Sequence, residues 1–269
     1  MDKEQLKKIH SIGYDALEKF DKFCTENNIK YFLRGGSALG AVKYSGYVPW
    51  DDDIDIALKR CDYEKLICVM PNQFGDYLFV SYKKNDHARC YFPRIILKKE
   101  IAIGAGLPCN NEHGLILIDI LPIDNIPNNK IKRFLLYSAN AFFRLLGSLW
   151  TLEAKDNVCK RYGVRKYLPL FLYRIKFHRL YKQESIYEIL DQLYTRDGNV
   201  KTYKSGIIAS SKWSREVVPS DWWGDGSRKK FRSLSVRVPE KYDLYLKRLF
   251  GKKYMTEEPS NLERTKSHF

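Results

Sequence analysis

Gly35-Gly36-Ser37-Ala38-Leu39-Gly40-Ala41-Val42-Lys43 and, after five residues, Pro49-Trp50-Asp51-Asp52-Asp53-Ile54-Asp55-Ile56 form the stretch that decides the fold. Ile29 to Leu33 reads as a short strand running into the glycine turn, and Ser37 is placed to N-cap a helix through about Tyr44. Gly46 and Pro49 mark a turn, and Ile54 to Leu58 reads as a second strand. Four acids occupy five positions among apolar and β-branched neighbours, and burying that much negative charge is costly unless a cation compensates it. Asp53 and Asp55 are two apart, so on a strand they project from one face. Two carboxylates on one face, downstream of a phosphate-sized glycine turn, suit a phosphoryl-transfer site dependent on Mg²⁺ or Mn²⁺.

Outward from that stretch, residues 2–27 repeat apolar positions at helical spacing (Leu6, Ile9, Ile12, Leu17, Phe20, Phe23). Asp62 is placed to cap a helix over 63–70, which Pro71 stops. Tyr77–Tyr82, Tyr91–Leu97 and Leu115–Leu121 read as further strands, the last so continuously apolar that both its faces are expected to be buried. It contains one acid, Asp119, read here as the third member of the acidic cluster. Arg94 lies on the strand between the two acidic elements. Residues 126–200 hold 14 Lys and Arg against 6 Asp and Glu, in a helical, aromatic-rich pattern. Beyond 200 the strands are short, Trp222-Trp223-Gly224-Asp225-Gly226 forms a loop, and a helix spans about 240–250. The division expected is therefore a catalytic core with its N-terminal helix over 1–125, a basic helical insertion over 126–200, and a segment over 201–269 that completes the core and the site.

A chain of 269 residues accommodates one large domain, or one domain with an insertion. Its 44% hydrophobic and 14% aromatic content excludes a disordered polypeptide. The formal charge of +15 calls for an acidic partner, and nucleic acid, anionic lipid and anionic glycan all satisfy it. The six cysteines (Cys24, Cys61, Cys68, Cys90, Cys109, Cys159) form no CxxC pair, as expected of reduced thiols in a cytosolic protein. Met1-Asp2-Lys3-Glu4-Gln5 lacks an apolar signal-peptide region, and no uncharged apolar run reaches the ~18 residues of a spanning helix. The helices expected over 131–150 and 164–181 have the basic amphipathic character of membrane-surface segments.

A strand, a Gly-Gly-Ser turn, a helix and a strand bearing Asp-x-Asp resemble the nucleotidyltransferase superfamily. The longer string, Leu33 to Lys43 followed by Gly46 to Ile56, resembles the LicD family of phosphotransferases, which includes bacterial phosphorylcholine transferases and is related to the fukutin group. Ile118-Asp119-Ile120-Leu121-Pro122-Ile123-Asp124, Val238-Pro239, and Tyr254-Met255 through Pro259 are also similar to the family, and His268 stands where it often carries a histidine. Lys43 departs from the family's more usual arginine, keeping the charge without bidentate phosphate binding. The resemblance implies an α+β fold, with a nucleotidyltransferase-like mixed sheet flanked by helices and a basic helical insertion. It implies transfer of a phospho-alcohol, foremost phosphocholine, from a CDP-activated donor such as CDP-choline to a hydroxyl of a cell-surface glycan or its lipid-linked precursor, with release of CMP. By the same resemblance Asp53, Asp55 and Asp119 hold the Mg²⁺ or Mn²⁺ and carry the catalysis. Gly35, Gly36 and Ser37 receive the donor phosphate, with Arg34, Lys43 and Arg94 adding charge; Trp50, Asp51, Asp52 and His268 support them. The expected setting is the cytoplasmic side of the membrane, with peripheral contact to anionic lipid and no nucleic acid. Two rival readings remain: a nucleotidyltransferase that attacks the α-phosphorus and releases pyrophosphate, and a basic membrane-surface protein without catalysis.

Overall fold

The computed structural model describes residues 2–84, 90–151, 167–196, 200–210 and 213–258. The fold is α+β. Helix α1 (Lys3–Glu26) opens on a capping box, in which the Asp2 carboxylate accepts the Gln5 N–H at 2.7 Å and the Gln5 side chain accepts the Asp2 N–H. Its Ile9, Ala16, Leu17 and Phe20 stripe is fully buried against the sheet. Strand β1 (Tyr31–Leu33) leads into helix α2 (Gly35–Leu39), which continues as a π-helical turn over Gly40–Tyr44 until Ser45 stops it in the left-handed region at φ 51°. This helix starts two residues before the expected cap. Ser37 lies inside it, and its Oγ accepts the Asp55 N–H at 2.8 Å, so a long-range acceptor role displaces the local cap.

Strand β2 (Ile54–Lys59) is followed by helix α3 (Arg60–Val69), in which Asp62 sits in the first turn rather than at the cap. Strands β3 (Gln73–Phe74), β4 (Tyr77–Val80) and β5 (Arg94–Lys98) form an antiparallel run, and helix α4 (Lys99–Gly104) leads to β6 (Gly114–Ile126). The sheet order is β1-β2-β6-β5-β4-β3. β6, the last of these strands in the chain, inserts between β2 and β5, parallel to the first and antiparallel to the second. That insertion sets Asp55 opposite Asp119 across 64 residues of chain. The expected strand over 115–121 proves longer, because the far end of β6 also pairs with β7 (Lys204–Gly206).

The basic middle third supplies α5 (Lys130–Thr151), α6 (Tyr167–Arg174), a 3₁₀ turn at Phe177–Leu180 and α7 (Gln183–Thr195). Leu136, Leu146 and Leu149 of α5 and Ile186, Leu190 and Tyr194 of α7 join the same apolar core as the sheet. The last third adds α8 (Trp213–Glu216), β8 (Val217–Pro219) beside β7, the hairpin β9 (Ser227–Phe231) and β10 (Leu234–Val238), and α9 (Tyr242–Phe250).

Candidate active site

Four neighbouring strands carry a row of alternating partners. Arg34 follows β1 and donates its N–H to the Asp55 carbonyl at 3.0 Å, Asp55 pairs with Asp119, and Asp119 pairs with Arg94. Partners opposite one another in a sheet share a face, so the row reads Arg34, Asp55, Asp119, Arg94 across β1, β2, β6 and β5. Arg34 Nη2 donates to Asp55 Oδ1 at 2.7 Å, and Arg94 Nε donates to Asp119 Oδ1 at 2.9 Å. Asp53 precedes Asp55 by two positions and lies among these acids.

Asp51, Asp52 and Asp53 lead from the Pro49-Trp50 turn into β2, and one carboxylate oxygen from each lies within 4.8 Å of the others. This cluster is ordered from below: Asp51 N–H bonds the Val48 carbonyl, and the Asp51 carbonyl accepts from His10 Nε2 at 2.6 Å. Burial lowers the His10 pKa, and this hydrogen bond pulls against it. Asp53 is pushed the other way. Burial raises its pKa well above the usual carboxylate range, and Asp55, Asp51, Asp119 and Asp52 all add to the rise. Closely set carboxylate oxygens are the hard donors that Mg²⁺ and Mn²⁺ accept, and a cation here would relieve the mutual repulsion. The residues present fit such an ion.

The glycines fit tightly against these acids. Gly35 takes φ +52°, and a Cβ on it would stand 3.2 Å from Asp55 Oδ2. A Cβ on Gly36 would come within 2.5 Å of Asp51 Oδ2. The turn needs glycine because its backbone lies directly on the carboxylates, so a phosphate held there would be delivered to them. The Gly35 N–H goes to Tyr245 Oη at 3.2 Å; Gly36 and Ser37 carry first-turn N–H groups of the kind that a helix does not satisfy internally.

The other expected site residues are placed as follows. Arg34 is buried and clamped, with Nη1 donating to both oxygens of Glu216 at 2.9 and 2.8 Å while Nη2 holds Asp55. It orients Asp55 in this structure. Lys43 points toward the last third of the chain, where Nζ bonds the carbonyls of Tyr254 and Glu257 and pairs with Glu258 at 3.1 Å. Trp50 packs edge-on to Tyr44. His268 lies outside the described residues. Sequence reasoning missed Glu216 and Tyr245. Glu216 is buried at the end of α8 and also accepts from Ser210 Oγ, and Tyr245 is fully buried on α9. The one signal for Glu216 was an acid directly preceding the apolar Val217-Val218 pair.

Residues 28–94 match a domain family described as LicD/FKTN/FKRP, nucleotidyltransferase domain. Over 264 residues the chain is 23% identical to the lipopolysaccharide cholinephosphotransferase LicD of Haemophilus influenzae, covering 93% of this chain and 92% of that protein. It is also 38% identical over 88 residues to an uncharacterized protein of Rickettsia prowazekii, covering 30% of this chain and 33% of that one. No helix among the described residues is long and apolar enough to cross a membrane.

Proposed function

We propose that this chain, whose residues 28–94 match the LicD-type nucleotidyltransferase domain, is a LicD-like transferase that moves phosphocholine from CDP-choline to a glycan hydroxyl. The observation that carries this reading is the register of Asp55 with Asp119, beside a glycine turn seated on the same carboxylates. Similarity to the Haemophilus protein along nearly the whole of both chains supports choline phosphate as the group and a lipopolysaccharide-type glycan as the acceptor.

In this mechanism the acceptor oxygen attacks the phosphorus that bears choline. One P–O bond forms, the P–O bond to CMP breaks in line with it, and CMP leaves. Asp119, oriented by Arg94, receives the proton of the attacking hydroxyl. Gly36 and Ser37 hold the donor phosphate with backbone N–H groups, and Arg34 with Glu216 keeps Asp55 fixed. Asp53 and Asp55, with Asp51, Asp52 and Asp119 at hand, would hold Mg²⁺ or Mn²⁺, which supplies neutralisation of charge on the transferred phosphate. The acceptor we assign is lipid-linked, so the chain works at the inner membrane surface without crossing it.

The test is product analysis with CDP-choline, other CDP-alcohols and CTP as donors. CMP released from CDP-choline in proportion to acceptor supports the reading. Pyrophosphate released from CTP, with no CMP from any CDP-alcohol, would replace it with nucleotidyl transfer.

A further inference from the structure

Helix α5 is buried toward its C-terminal end and leaves an apolar face uncovered in its first three turns. Leu136, Leu146 and Leu149 join the core. Ahead of Leu146, Ile131, Phe134, Leu135 and Phe142 stand 71%, 69%, 59% and 55% exposed. Spacings of three, four and seven or eight residues gather these four on one helical face. Leaving four large apolar side chains of this face in water has no folding benefit.

The surroundings of this face carry positive charge. Lys130 and Lys132 flank Ile131, about 100° to either side of it around the helix. No acid occurs anywhere in α5 (Lys130–Thr151). A neighbouring loop extends the patch. Tyr203, 81% exposed, donates its N–H to Asn128 Oδ1, and the Val200 carbonyl accepts from Asn125 Nδ2, so residues 200–203 are pinned beside the start of α5. Lys201 in that loop and Lys204 at the start of β7 are exposed. Bulky apolar groups at the centre, an exposed tyrosine and lysines at the margin are the chemistry of a helix lying in a headgroup layer. A second copy of the chain would set these lysines against one another, whereas anionic headgroups complement them.

We infer that the outer face of α5, with the 200–204 loop, seats this protein on an anionic bilayer, its Ile131, Phe134, Leu135 and Phe142 side chains entering the headgroup layer. The inference gives a specific surface to the lipid-linked acceptor proposed above and rests on that reading for its purpose. The interaction is interfacial and reversible, since α5 keeps Leu136, Leu146 and Leu149 in the protein core.

The experiment compares the wild-type chain with Phe134→Glu/Phe142→Glu by sedimentation with vesicles of phosphatidylcholine, with and without phosphatidylglycerol. Both side chains are exposed, so matched melting curves establish that the variant folds. Wild type should sediment with the anionic vesicles alone, and the variant should lose about tenfold or more in partitioning. CMP release with a water-soluble acceptor should be unchanged in the variant. Wild-type sedimentation by the variant would overturn this face while leaving a membrane-bound acceptor standing. Absence of wild-type binding would overturn both, with CMP release still reporting on the phosphotransfer reading. A patch that governs self-association but not vesicle binding would make it an interface between copies and overturn the inference.

Discussion

Strands β2 and β6 carry ionic clusters at both ends, and the two clusters differ in how their charges close. Just past the last β2–β6 pair, Arg60 donates Nε and Nη2 to the two oxygens of Asp124 at 2.6 and 2.8 Å, and its Nη1 reaches Glu64 and Asp191. Lys83 and the Tyr91 hydroxyl complete the knot at Asp191. Burial pushes the Asp124 pKa up and Arg60 pulls against it. At the N-terminal ends the acids accumulate instead. Arg34 and Arg94 serve Asp55, Glu216 and Asp119, while every charge that dominates the Asp53 pKa is another aspartate. The same two strands thus hold one network in which each acid meets Arg60 or Lys83 and one in which aspartates dominate the charge around Asp53. A buried network that closes on itself ties elements together, here α7 to the sheet. One that gathers aspartates around a single carboxyl, as at Asp53, is poised for a cation.

The most severe test of that contrast is Asp53→Asn or Asp55→Asn. Either should lower CMP release by about two to three orders of magnitude, the scale of losing one charge-stabilising group at a reacting phosphate. Asp53→Asn removes a carboxylate whose ionisation is unfavourable in the fold, so its melting temperature in the absence of metal should match or exceed wild type. Added Mg²⁺ should raise the melting temperature of the wild-type chain and not of the Asp53→Asn chain. At the other end of the strands the signs reverse. Asp124→Ala leaves Arg60 without its bidentate partner and should cost about 3–5 kcal/mol of stability, read from denaturant midpoints. Turnover per folded molecule should stay near wild type. A selective loss of activity in Asp124→Ala would join the two clusters into one machine and end the contrast.

The row of the candidate site was legible because its determinants are short-range or periodic. Asp53 and Asp55 share the period of a strand, and Asp119 is the one acid in an apolar run whose continuity signals a central strand. What could not be read is what the last third of the chain contributes. Glu216 lies in Ser214-Arg215-Glu216, which locally resembles any exposed helical turn; only the packing of α8 against β8 and α9 buries it against Arg34. Local rules also lost to tertiary ones at Ser37, where the Asp55 N–H claims the hydroxyl that a helix cap would have used. Lys43 is a parallel case: its charge suggested a phosphate, and its ammonium closes on the Tyr254 and Glu257 carbonyls.

Two smaller effects sharpen the comparison from its edges. Glu216→Gln keeps the shape of the Arg34 clamp and removes one of its two carboxylate partners. If that clamp positions Asp55, turnover should fall about ten- to a hundredfold, a range typical of residues that orient a metal ligand. KM for CDP-choline should change little, whereas a purely structural role would lower Tm and leave turnover per folded molecule intact.

The smallest effect is expected at Asp191→Asn. Burial alone would raise the Asp191 pKa above its ordinary 3.8, but the Lys83 hydrogen bond and the Arg60 charge bring it below that value. A carboxyl whose folded pKa is depressed adds stability above its unfolded pKa and loses it as pH falls through the folded one. The gap in melting temperature between wild type and Asp191→Asn should therefore be full near neutrality and should close below pH 3.8. Its size stays small, about 1 kcal/mol, because Lys83 is 25% exposed and solvent screens the pair. A gap that widened on acidification would mean that Asp191 gains its proton on folding. The network around Arg60 would then share the repulsion found at Asp53, and pairing of acids with cations would no longer separate the two ends.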